Sequence, residues 1–368
     1  MVVVAVVGAG VIGLTTVLKI QELGYDVILI AELFPGDEKS TRYTSNWAGA
    51  HHVSLAGSDK TQLKMERDTF DVMWKMSAPG APTESLFLRL PQTEYYVEER
   101  QGPNPLADFM PNYRELSASE LRPGSKTGVT FETITIDTPR YLAYLYSRVL
   151  AQGGRSVRAQ FQHIQQVLDG AFCQVPDAVV VCAGLGATTL GGVEDKNVYP
   201  IRGQTVLIRA PWVRFGRTTS SKSGLWTYVI PRRSGDVILG GTKVDNDWYP
   251  KARPETTRDI LERTLAIAPE IAPPHTREGG RTPTIEDVES IIIESGCGFR
   301  PGRKGGVRLE QDVLTNAEGQ AIPIVYHYGH GGYGYQSSWG SASMAVDLLQ
   351  STLNGAVKSG SGAATREH

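Results

Sequence analysis

Cysteine is scarce in this 368-residue chain, which contains three cysteines. Cys173, Cys182 and Cys297 form neither a CxxC pair nor an even-numbered framework. This spacing excludes a small disulfide-stapled domain and gives no sign of a cysteine metal site. We therefore expect an intracellular, reducing setting and no bound metal.

Long apolar runs and an excess of charge of one sign are also missing. The first apolar run, residues 2–7, is about six residues long, too short for a signal-peptide core or a bilayer span. The chain has 37 basic and 39 acidic side chains, a formal net charge of −2. This balance predicts neither nucleic acid nor a membrane surface as a partner. Hydrophobic content of 40% and charged content of 21% are ordinary for a globular protein, and the length suits roughly two domains.

A glycine motif of the form GxGxxG follows that first apolar run directly. Gly8 permits a tight turn, Gly10 lets the backbone approach a pyrophosphate, and Gly13 lets the next helix pack closely on the strand. The start of that helix offers free N–H groups to phosphates. The motif alone is weak, because glycine is frequent in this sequence.

The context of the motif strengthens its interpretation. A helix is predicted over residues 11–23 and a second strand over residues 25–30, which completes a βαβ unit. Glu32 follows at the distance at which an acidic side chain binds a ribose diol. The opening segment therefore predicts a bound dinucleotide.

The rest of the chain alternates between helical and strand-like segments. Amphipathic helices are predicted over residues 59–76, 139–152 and 255–268, and a last helix over residues 338–353. Strands are predicted over residues 177–187, 206–208, 227–230, 237–239, 284–294 and 322–328.

These segments predict an α/β fold with two domains. Residues 1–79, 137–203 and 295–354 are expected to form a discontinuous Rossmann-like nucleotide-binding domain. Residues 80–136 and 204–294 are expected to form a substrate-binding domain with a mostly antiparallel sheet. Residues 355–368 are expected to be a flexible tail.

Glycine turns recur at the ends of later strands, at Gly184 and Gly329, which a simple nicotinamide dehydrogenase does not explain. Together with the opening motif, the order of these segments resembles the D-amino-acid oxidase family of FAD flavoenzymes, including its D-aspartate oxidase branch. The resemblance covers nearly the whole chain. It rests on GAGVIG (8–13), WAGA (47–50), VVVCAGLGA (179–187), PIRGQT (200–205), TYVIP (227–231), LGGT (239–242), GFRPGRKGG (298–306) and HYGHGGYGYQSSWG (327–340).

The resemblance implies FAD as cofactor, with a D-amino acid and molecular oxygen as substrates. The implied reaction is oxidative deamination to a 2-oxo acid, ammonia and hydrogen peroxide. Hydride would pass directly to flavin N5, so orientation and electrostatics would do the catalytic work without a protein base.

The resemblance also implies the residues that hold the amino acid. Arg300 would bind the α-carboxylate through two parallel hydrogen bonds, which lysine cannot reproduce. Tyr228 would assist it through its hydroxyl, the Gly332 carbonyl would receive the amine, and Gln336 would lie nearby. Without the resemblance, Arg300 reads as a surface arginine and Tyr228 as a core side chain. The neighbouring Arg303 and Lys304 are expected to be surface groups.

Lys243 is the residue that favours an acidic substrate. Neutral-substrate yeast enzymes carry a tyrosine there, whereas the D-aspartate oxidase branch carries a basic residue, and a cation favours a second carboxylate. One of His51 and His52 is expected to add a hydrogen bond, and Lys222 is a weaker candidate. A single lysine is more often a solvated surface group.

The residues that the resemblance assigns to FAD lie in every part of the chain. They are Gly8, Gly10, Val11, Ile12, Gly13, Ala31, Glu32, Thr44, Ser45, Gly49, Ala50, Phe161, Ala183, Gly184, Arg300, Gly331, Gly334, Tyr335 and Gln336. The amino end of the last helix would point at the pyrimidine edge of the flavin.

Other readings stay open at this point. The chain could be a broad oxidase of neutral D-amino acids, an NAD-dependent dehydrogenase or a flavin-binding protein without turnover, and glycine and sarcosine oxidases are neighbours in fold. The family predicts a peroxisomal location, but the sequence does not end in Ser-Lys-Leu, so a removed tail or a cytoplasmic location remains an alternative. Subunit number is open, with a homodimer among the options.

Overall fold

The computed structural model describes residues 2–100, 102–222 and 224–361. The strands are β1 (Val3–Val7), β2 (Asp26–Ala31), β3 (Phe87–Tyr96), β4 (Arg114–Glu115), β5 (Thr127–Ile136), β6 (Arg155–Arg158), β7 (Ala178–Val181), β8 (Val198–Arg209), β9 (Gly216–Ser220), β10 (Trp226–Pro231), β11 (Asp236–Gly240), β12 (Val244–Asp245), β13 (Ile292–Arg303), β14 (Arg308–Thr315) and β15 (Ala321–Tyr328). The helices are α1 (Val11–Gln21), α2 (Lys60–Met76), α3 (Thr138–Ala151), α4 (Gln165–Leu168), α5 (Pro254–Ile267), α6 (Ile285–Glu289) and α7 (Gly334–Ser361).

Contacts within the chain divide it into two compact units. The first contains the described residues up to Lys39, Leu142–Pro200 and those from Arg300 onward. The second contains the described residues of Ser40–Tyr141 and Ile201–Phe299.

The first unit is built on a six-stranded sheet in the order β14-β15-β7-β1-β2-β6. Its strands are parallel except for β14, which runs antiparallel to β15 at the edge. β1 is buried along its whole length, as expected of a central parallel strand that is covered on both faces. The predicted βαβ unit is present as β1, α1 and β2.

The second unit contains a nine-stranded sheet in the order β12-β8-β11-β10-β9-β3-β5-β4, with β13 also paired to β8. All of these pairs are antiparallel except β3 with β9, among the pairings described. One face packs on α5 through Val206, Ile208, Val229, Val237 and Leu239. Because side chains alternate along a strand, the other face carries Leu207, Tyr228, Ile230 and Ile238. The prediction of a second, mostly antiparallel sheet is confirmed.

Residues 40–79 were assigned to the nucleotide-binding domain from the sequence, whereas the contacts group them with the second unit. A charged side chain ties α2 to β3 there. The Arg89 guanidinium carbon lies 3.7 Å from the centre of the Trp74 ring, and Arg89 Nε donates to Ser77 Oγ at 3.0 Å. A cation over an indole face is a favourable contact, and the pattern of apolar residues in the sequence does not predict it.

The predicted strand over residues 284–294 is wrong in its first half. Thr284 and Asp287 form a capping box, in which the Thr284 N–H donates to Asp287 Oδ2 at 2.8 Å, and this starts α6. The strand β13 begins only at Ile292.

The last helix is longer than predicted at both ends, from Gly334 to Ser361. It includes residues 355–361 of the expected tail, and residues 362–368 lie outside the described residues. Among the described residues, no helix is long and apolar enough to cross a membrane.

Candidate functional site

The GxGxxG loop of the first unit joins β1 to α1, and its outer glycines are needed for packing. Gly8 has a φ of +105°, and a Cβ there would lie 2.5 Å from the Cys182 carbonyl oxygen. A Cβ on Gly13 would lie 1.8 Å from the Gly8 carbonyl oxygen. A side chain at Gly8 would collide with the backbone that follows β7, and a side chain at Gly13 would push α1 away from the Gly8 carbonyl.

Gly10 is the residue before α1 and is extended, with φ −73° and ψ 179°. No side chain caps this end, and the first turn of α1 contains no acidic residue. Val11 is buried and Ile12 half-buried at the start of the helix. The positive end of the helix dipole is therefore not neutralised locally, which suits an anion.

Ala31 and Glu32 lie where β2 ends. The Arg158 guanidinium donates to the Glu32 carbonyl at 2.9 Å and to Asp37 Oδ2 at 2.6 Å. The hydrogen bond from Arg158 lowers the pKa of Asp37, with the Phe34 N–H as the second cause. Glu32 thus directly follows the carboxyl end of β2, where the sequence predicted a ribose-binding carboxylate.

Gly184 begins a 3-10 turn after β7, next to the half-buried Ala183. It has a φ of +55°, and a Cβ on it would meet only Pro301 Cβ, at 3.9 Å. Unlike Gly8 and Gly13, it leaves the space beside its backbone open. Phe161, the remaining candidate of this region, is half-buried and lies 5.4 Å, ring centre to ring centre, from Phe172.

The glycine-rich loop after β15 lies next to Arg300. The Gly331 N–H donates to the Pro301 carbonyl at 2.8 Å, and nothing lies within 4 Å of where a Gly331 Cβ would be. A Cβ on the exposed Gly332 would lie 3.5 Å from Arg300 Cδ. The structure therefore brings Gly332 and the half-buried Arg300 together within the first unit.

The loop ends where α7 begins, at Gly334. Tyr335 and Gln336 are in the first turn and are 6% and 5% exposed. Their burial is consistent with a helix start whose backbone, and not its exposed side chains, faces a ligand.

Arg303 is not a surface group, contrary to the expectation from the sequence. Its side chain is 13% exposed, and Nε donates to Asp195 Oδ2 at 2.8 Å. A Cβ on Gly329 would lie 2.9 Å from Arg303 Cβ, so this paired arginine supports the start of the glycine-rich loop. Lys304 is exposed, as expected.

Tyr228 lies on β10 in the second unit and is 9% exposed. Its ring covers two glycines of the paired strand end, because a Cβ on Gly240 would lie 2.3 Å from Tyr228 Cζ and one on Gly241 2.3 Å from Tyr228 Oη. The ring of Tyr228 therefore packs directly on the backbone of the LGGT segment, which has room for it because both residues are glycine.

The structure separates the two adjacent histidines. His51 bridges to Thr135 of β5, and its ring centre lies 6.4 Å from that of Tyr228. His52 is fully buried among aromatic rings, 5.1 Å from Phe70. His51 is therefore the one that shares a sheet face with Tyr228. Burial lowers the pKa of His51 to about 4, so its ring is neutral at neutral pH.

The remaining cofactor candidates of the second unit surround the WAGA segment. Thr44 and Ser45 are in a 3-10 turn, where Thr44 Oγ1 donates to the Phe299 carbonyl at 2.7 Å. A Cβ on Gly49 would lie 2.8 Å from Ile230 Cδ1. Ala50 has a φ of +58°, and its carbonyl accepts from the Ile136 N–H at 2.8 Å. These contacts place the segment along the face of the sheet that carries Tyr228.

Lys243 and Lys222 are both exposed. Lys243 follows Gly241 by two residues, and Lys222 lies in the turn between β9 and β10, where its N–H donates to Glu98 Oε2 at 2.9 Å. The backbone beside Lys243 is held on both sides, because Thr242 Oγ1 accepts from the Gln204 N–H at 2.8 Å and β12 follows.

Arg263 is a residue that sequence reasoning missed. It reaches from α5 to donate to the Gly241 carbonyl at 3.3 Å and to Thr227 Oγ1 at 2.6 Å. It thereby fixes the backbone beneath Tyr228 from the opposite face of the sheet. In the sequence it reads as half of an i,i+4 surface pair with Asp259, which the structure also contains at 2.7 Å.

Glu94 is a second missed residue, a buried carboxyl on β3. Glu94 and Tyr228 pair with Thr218 from opposite sides, so their side chains share one face of the sheet. Burial raises the pKa of Glu94 to about 7, against hydrogen bonds from Tyr96, at 3.0 Å, and Gln92 and the charge of Arg100. Nothing in the pattern of β3 distinguishes this glutamate from a solvated one.

Between pH 4.5 and 8, the unfolding free energy of the Glu94→Gln variant is expected to fall less than that of the wild type. Because the folded pKa, about 7, is above the unfolded value of 4.5, the carboxyl stabilises the fold below pH 4.5, and this stabilisation is lost as pH rises to 7. Between pH 4.5 and 8 the wild type should lose roughly 3 kcal/mol of unfolding free energy that E94Q keeps. Urea denaturation at both pH values measures this, with the exposed Glu99→Gln as control. Parallel pH curves for E94Q and wild type would contradict it.

Comparisons with known proteins agree over nearly the whole chain. Residues 4–348 match the model of the family DAO, described as FAD dependent oxidoreductase. The chain is 37% identical to a D-aspartate oxidase of Cryptococcus neoformans var. grubii, covering 94% of this chain and 96% of that one. It is 34% identical to a D-amino-acid oxidase of Schizosaccharomyces pombe, covering 94% and 95%. Its fold is similar to that of glycine oxidase from Geobacillus kaustophilus, with a TM-score of 0.68, 17% identity and coverage of 95% and 94%.

Proposed function

Since the chain belongs to the DAO family of FAD-dependent oxidoreductases, we propose that it oxidises D-amino acids and prefers D-aspartate and D-glutamate. The products are a 2-oxo acid, ammonia and hydrogen peroxide, with molecular oxygen as the second substrate. The observation that carries this proposal is the near full-length similarity to oxidases of D-aspartate and of D-amino acids.

The glycines of the first unit fit a bound FAD. Gly8 and Gly13 close β1 onto α1, whereas Gly184 and Gly331 leave open space beside their backbones, where a planar group can approach. The uncapped start of α1 suits the pyrophosphate. We propose that these elements hold FAD together with Glu32, which would bind the ribose.

Bound FAD supplies the acceptor for the hydrogen and electrons that leave the substrate Cα. In this proposal Arg300 binds the α-carboxylate by two charge-assisted hydrogen bonds, and the Tyr228 hydroxyl assists it. The exposed Gly332 carbonyl accepts a hydrogen bond from the substrate amine, and Gln336 lies near that amine. These groups orient the Cα–H bond, so that the protein contributes alignment and charge without a catalytic base.

Lys243 is proposed to select the second carboxylate. Gly241 touches the Tyr228 hydroxyl, and the two residues from Gly241 to Lys243 span at most roughly 7 Å. A lysine side chain is long enough to bridge a comparable distance, and we propose that its ammonium turns toward that hydroxyl when an acidic substrate is bound. His51 is neutral at neutral pH because burial lowers its pKa to about 4, which leaves it a hydrogen-bonding role and assigns the charge to Lys243.

Replacing Lys243 with methionine should raise the KM for D-aspartate and D-glutamate by about ten-fold or more, because a cation near a partly desolvated carboxylate is removed. The KM for D-alanine should stay within about two-fold. Initial rates on the three substrates measure this, and Lys251→Met, at an exposed lysine of the same unit with no proposed substrate role, is the matched control. Equal losses on acidic and neutral substrates would show that Lys243 does not select, and would favour a broad D-amino-acid oxidase.

The activity itself is tested on the purified protein. We expect a yellow protein whose colour bleaches anaerobically with D-aspartate, and which releases hydrogen peroxide in air. D-glutamate, D-alanine, D-methionine and glycine complete the substrate panel. A colourless protein that reduces NAD, or a yellow protein that is bleached by glycine alone, would reject the proposal. Bound flavin without any turnover would favour a binding protein.

A peroxisomal location and a homodimer remain proposals that rest on the family. Fluorescence microscopy of the tagged chain and sedimentation of the purified protein test them.

A further inference from the structure

Two buried histidines lie beneath the glycine-rich loop of the first unit. His327 is the next-to-last residue of β15 and is fully buried, and His330 lies within the loop and is 2% exposed. Their ring centres are 5.1 Å apart at an interplanar angle of 71°. Ile324 and Tyr326 face the core on one side of the sheet, so His327 points to the opposite side, where it meets α1.

His327 is linked to the helix that follows the GxGxxG loop. Its Nδ1 lies 3.0 Å from Thr16 Oγ1, and Thr16 donates its own hydroxyl hydrogen to the Ile12 carbonyl at 2.7 Å. Thr16 and His327 therefore share a hydrogen bond that connects β15 with α1.

His330 is linked to the last helix. Its Nε2 lies 3.1 Å from Ser341 Oγ, so the two groups share a hydrogen bond. A Cβ on Gly334, where α7 begins, would lie 3.7 Å from His330 Cβ. The ring therefore connects the loop with the interior of α7.

We infer that His330 is a positioning residue, which through Ser341 sets the place of the Gly332 carbonyl and so the recognition of the substrate amine. Gly331 and Gly332 have no side chain with which to hold the loop, and His330, which directly precedes them, has a ring that is hydrogen-bonded to α7. The inference rests on the proposed function, because that function makes Gly332 the acceptor for the amine.

Both rings stay neutral over the working range of pH. Burial, with the neighbouring His330 as a second cause, lowers the pKa of His327 well below its usual value, and burial lowers that of His330 to about 3. The link between loop and helix is therefore independent of pH between 6.5 and 8.5.

The test replaces Ser341 with alanine, which leaves His330 Nε2 buried without its hydrogen-bond partner. We expect the KM for D-alanine or D-aspartate to rise about ten-fold, equally at pH 6.5 and 8.5. The dissociation constants of propionate and succinate, which have the same carbon skeletons without the amine, should stay within about two-fold by calorimetry, because the carboxylate contacts proposed for Arg300, Tyr228 and Lys243 do not involve the Gly332 carbonyl. Amide hydrogen exchange of residues 329–336 should also be faster.

Ser343→Ala is the matched control, since Ser343 is on the same helix and its hydroxyl donates to the Trp339 carbonyl at 3.1 Å. It should change none of these quantities. His330→Gln, which keeps a hydrogen-bonding group near Ser341, should stay close to the wild type in the KM for the amino acids. Equal weakening of amino acid and carboxylate would overturn the inference, and so would unchanged KM and exchange in S341A. If the wild type oxidised no D-amino acid, the proposed function would fail, while the exchange measurement would still decide whether Ser341 holds the loop.

Discussion

Replacing Arg300 with alanine is expected to lower kcat/KM for D-amino acids by about a thousand-fold, and replacement with lysine by about a hundred-fold. Two charge-assisted hydrogen bonds to the α-carboxylate are lost in the first case, each worth roughly 1.5–3 kcal/mol. Lysine keeps the charge but not the planar fork. Steady-state kinetics on D-aspartate and D-alanine measure both changes.

The FAD content of both Arg300 variants should be measured alongside their kinetics, so that a loss of cofactor is not mistaken for a loss of substrate binding. The exposed Lys304→Ala, four residues along the chain, is the control and should change kcat/KM by less than about two-fold. Activity within ten-fold of wild type in R300A would remove Arg300 from the carboxylate site.

Replacing Gly13 with alanine is expected to abolish stable FAD binding. The added Cβ would lie 1.8 Å from the Gly8 carbonyl oxygen, so α1 must move away from β1 by more than an ångström. That movement displaces the uncapped helix start proposed to hold the pyrophosphate. The absorbance of flavin in the purified variant, and its dissociation constant on titration with FAD, measure the effect, which we expect to exceed a hundred-fold.

Gly186→Ala is the control for Gly13. It is an exposed glycine of the same unit, and its added Cβ would meet only Ala183 Cβ, at an ordinary 3.7 Å. This variant should retain its colour and its activity. A yellow G13A protein with wild-type affinity for FAD would mean that the loop is only a turn.

The parts of the fold that the sequence predicts well are those buried on both sides. β1, β2 and β7 are dominated by buried apolar residues, which suits the centre of a parallel sheet that is covered on both faces. β14 was missed because it is an edge strand with mostly exposed residues, whose sequence shows no apolar alternation. The first half of the strand predicted over 284–294 was wrong, because a local capping box starts α6 there, whereas residues 292–294 are in β13.

Contacts of individual charged side chains were the least predictable feature. Arg303 reads as one of several surface cations, yet it is paired with Asp195 beneath Gly329. Arg263 reads as half of a helix surface pair, yet it holds the Gly241 carbonyl. The partners of these arginines are far away in the sequence, so a local sequence pattern cannot identify them.

The sequence by itself determined that a dinucleotide is bound and, through the order of its motifs, that the chain is a flavin oxidase of the D-amino-acid type. The positions of the opening glycines are visible in the sequence because a side chain at Gly8 or Gly13 would overlap with neighbouring backbone atoms. Only the tertiary structure decided that His51, and not His52, shares a sheet face with Tyr228, and that His330 ties the glycine-rich loop to Ser341. Adjacent residues on a strand point to opposite faces, and partners eleven residues apart meet only when the loop folds back on its helix.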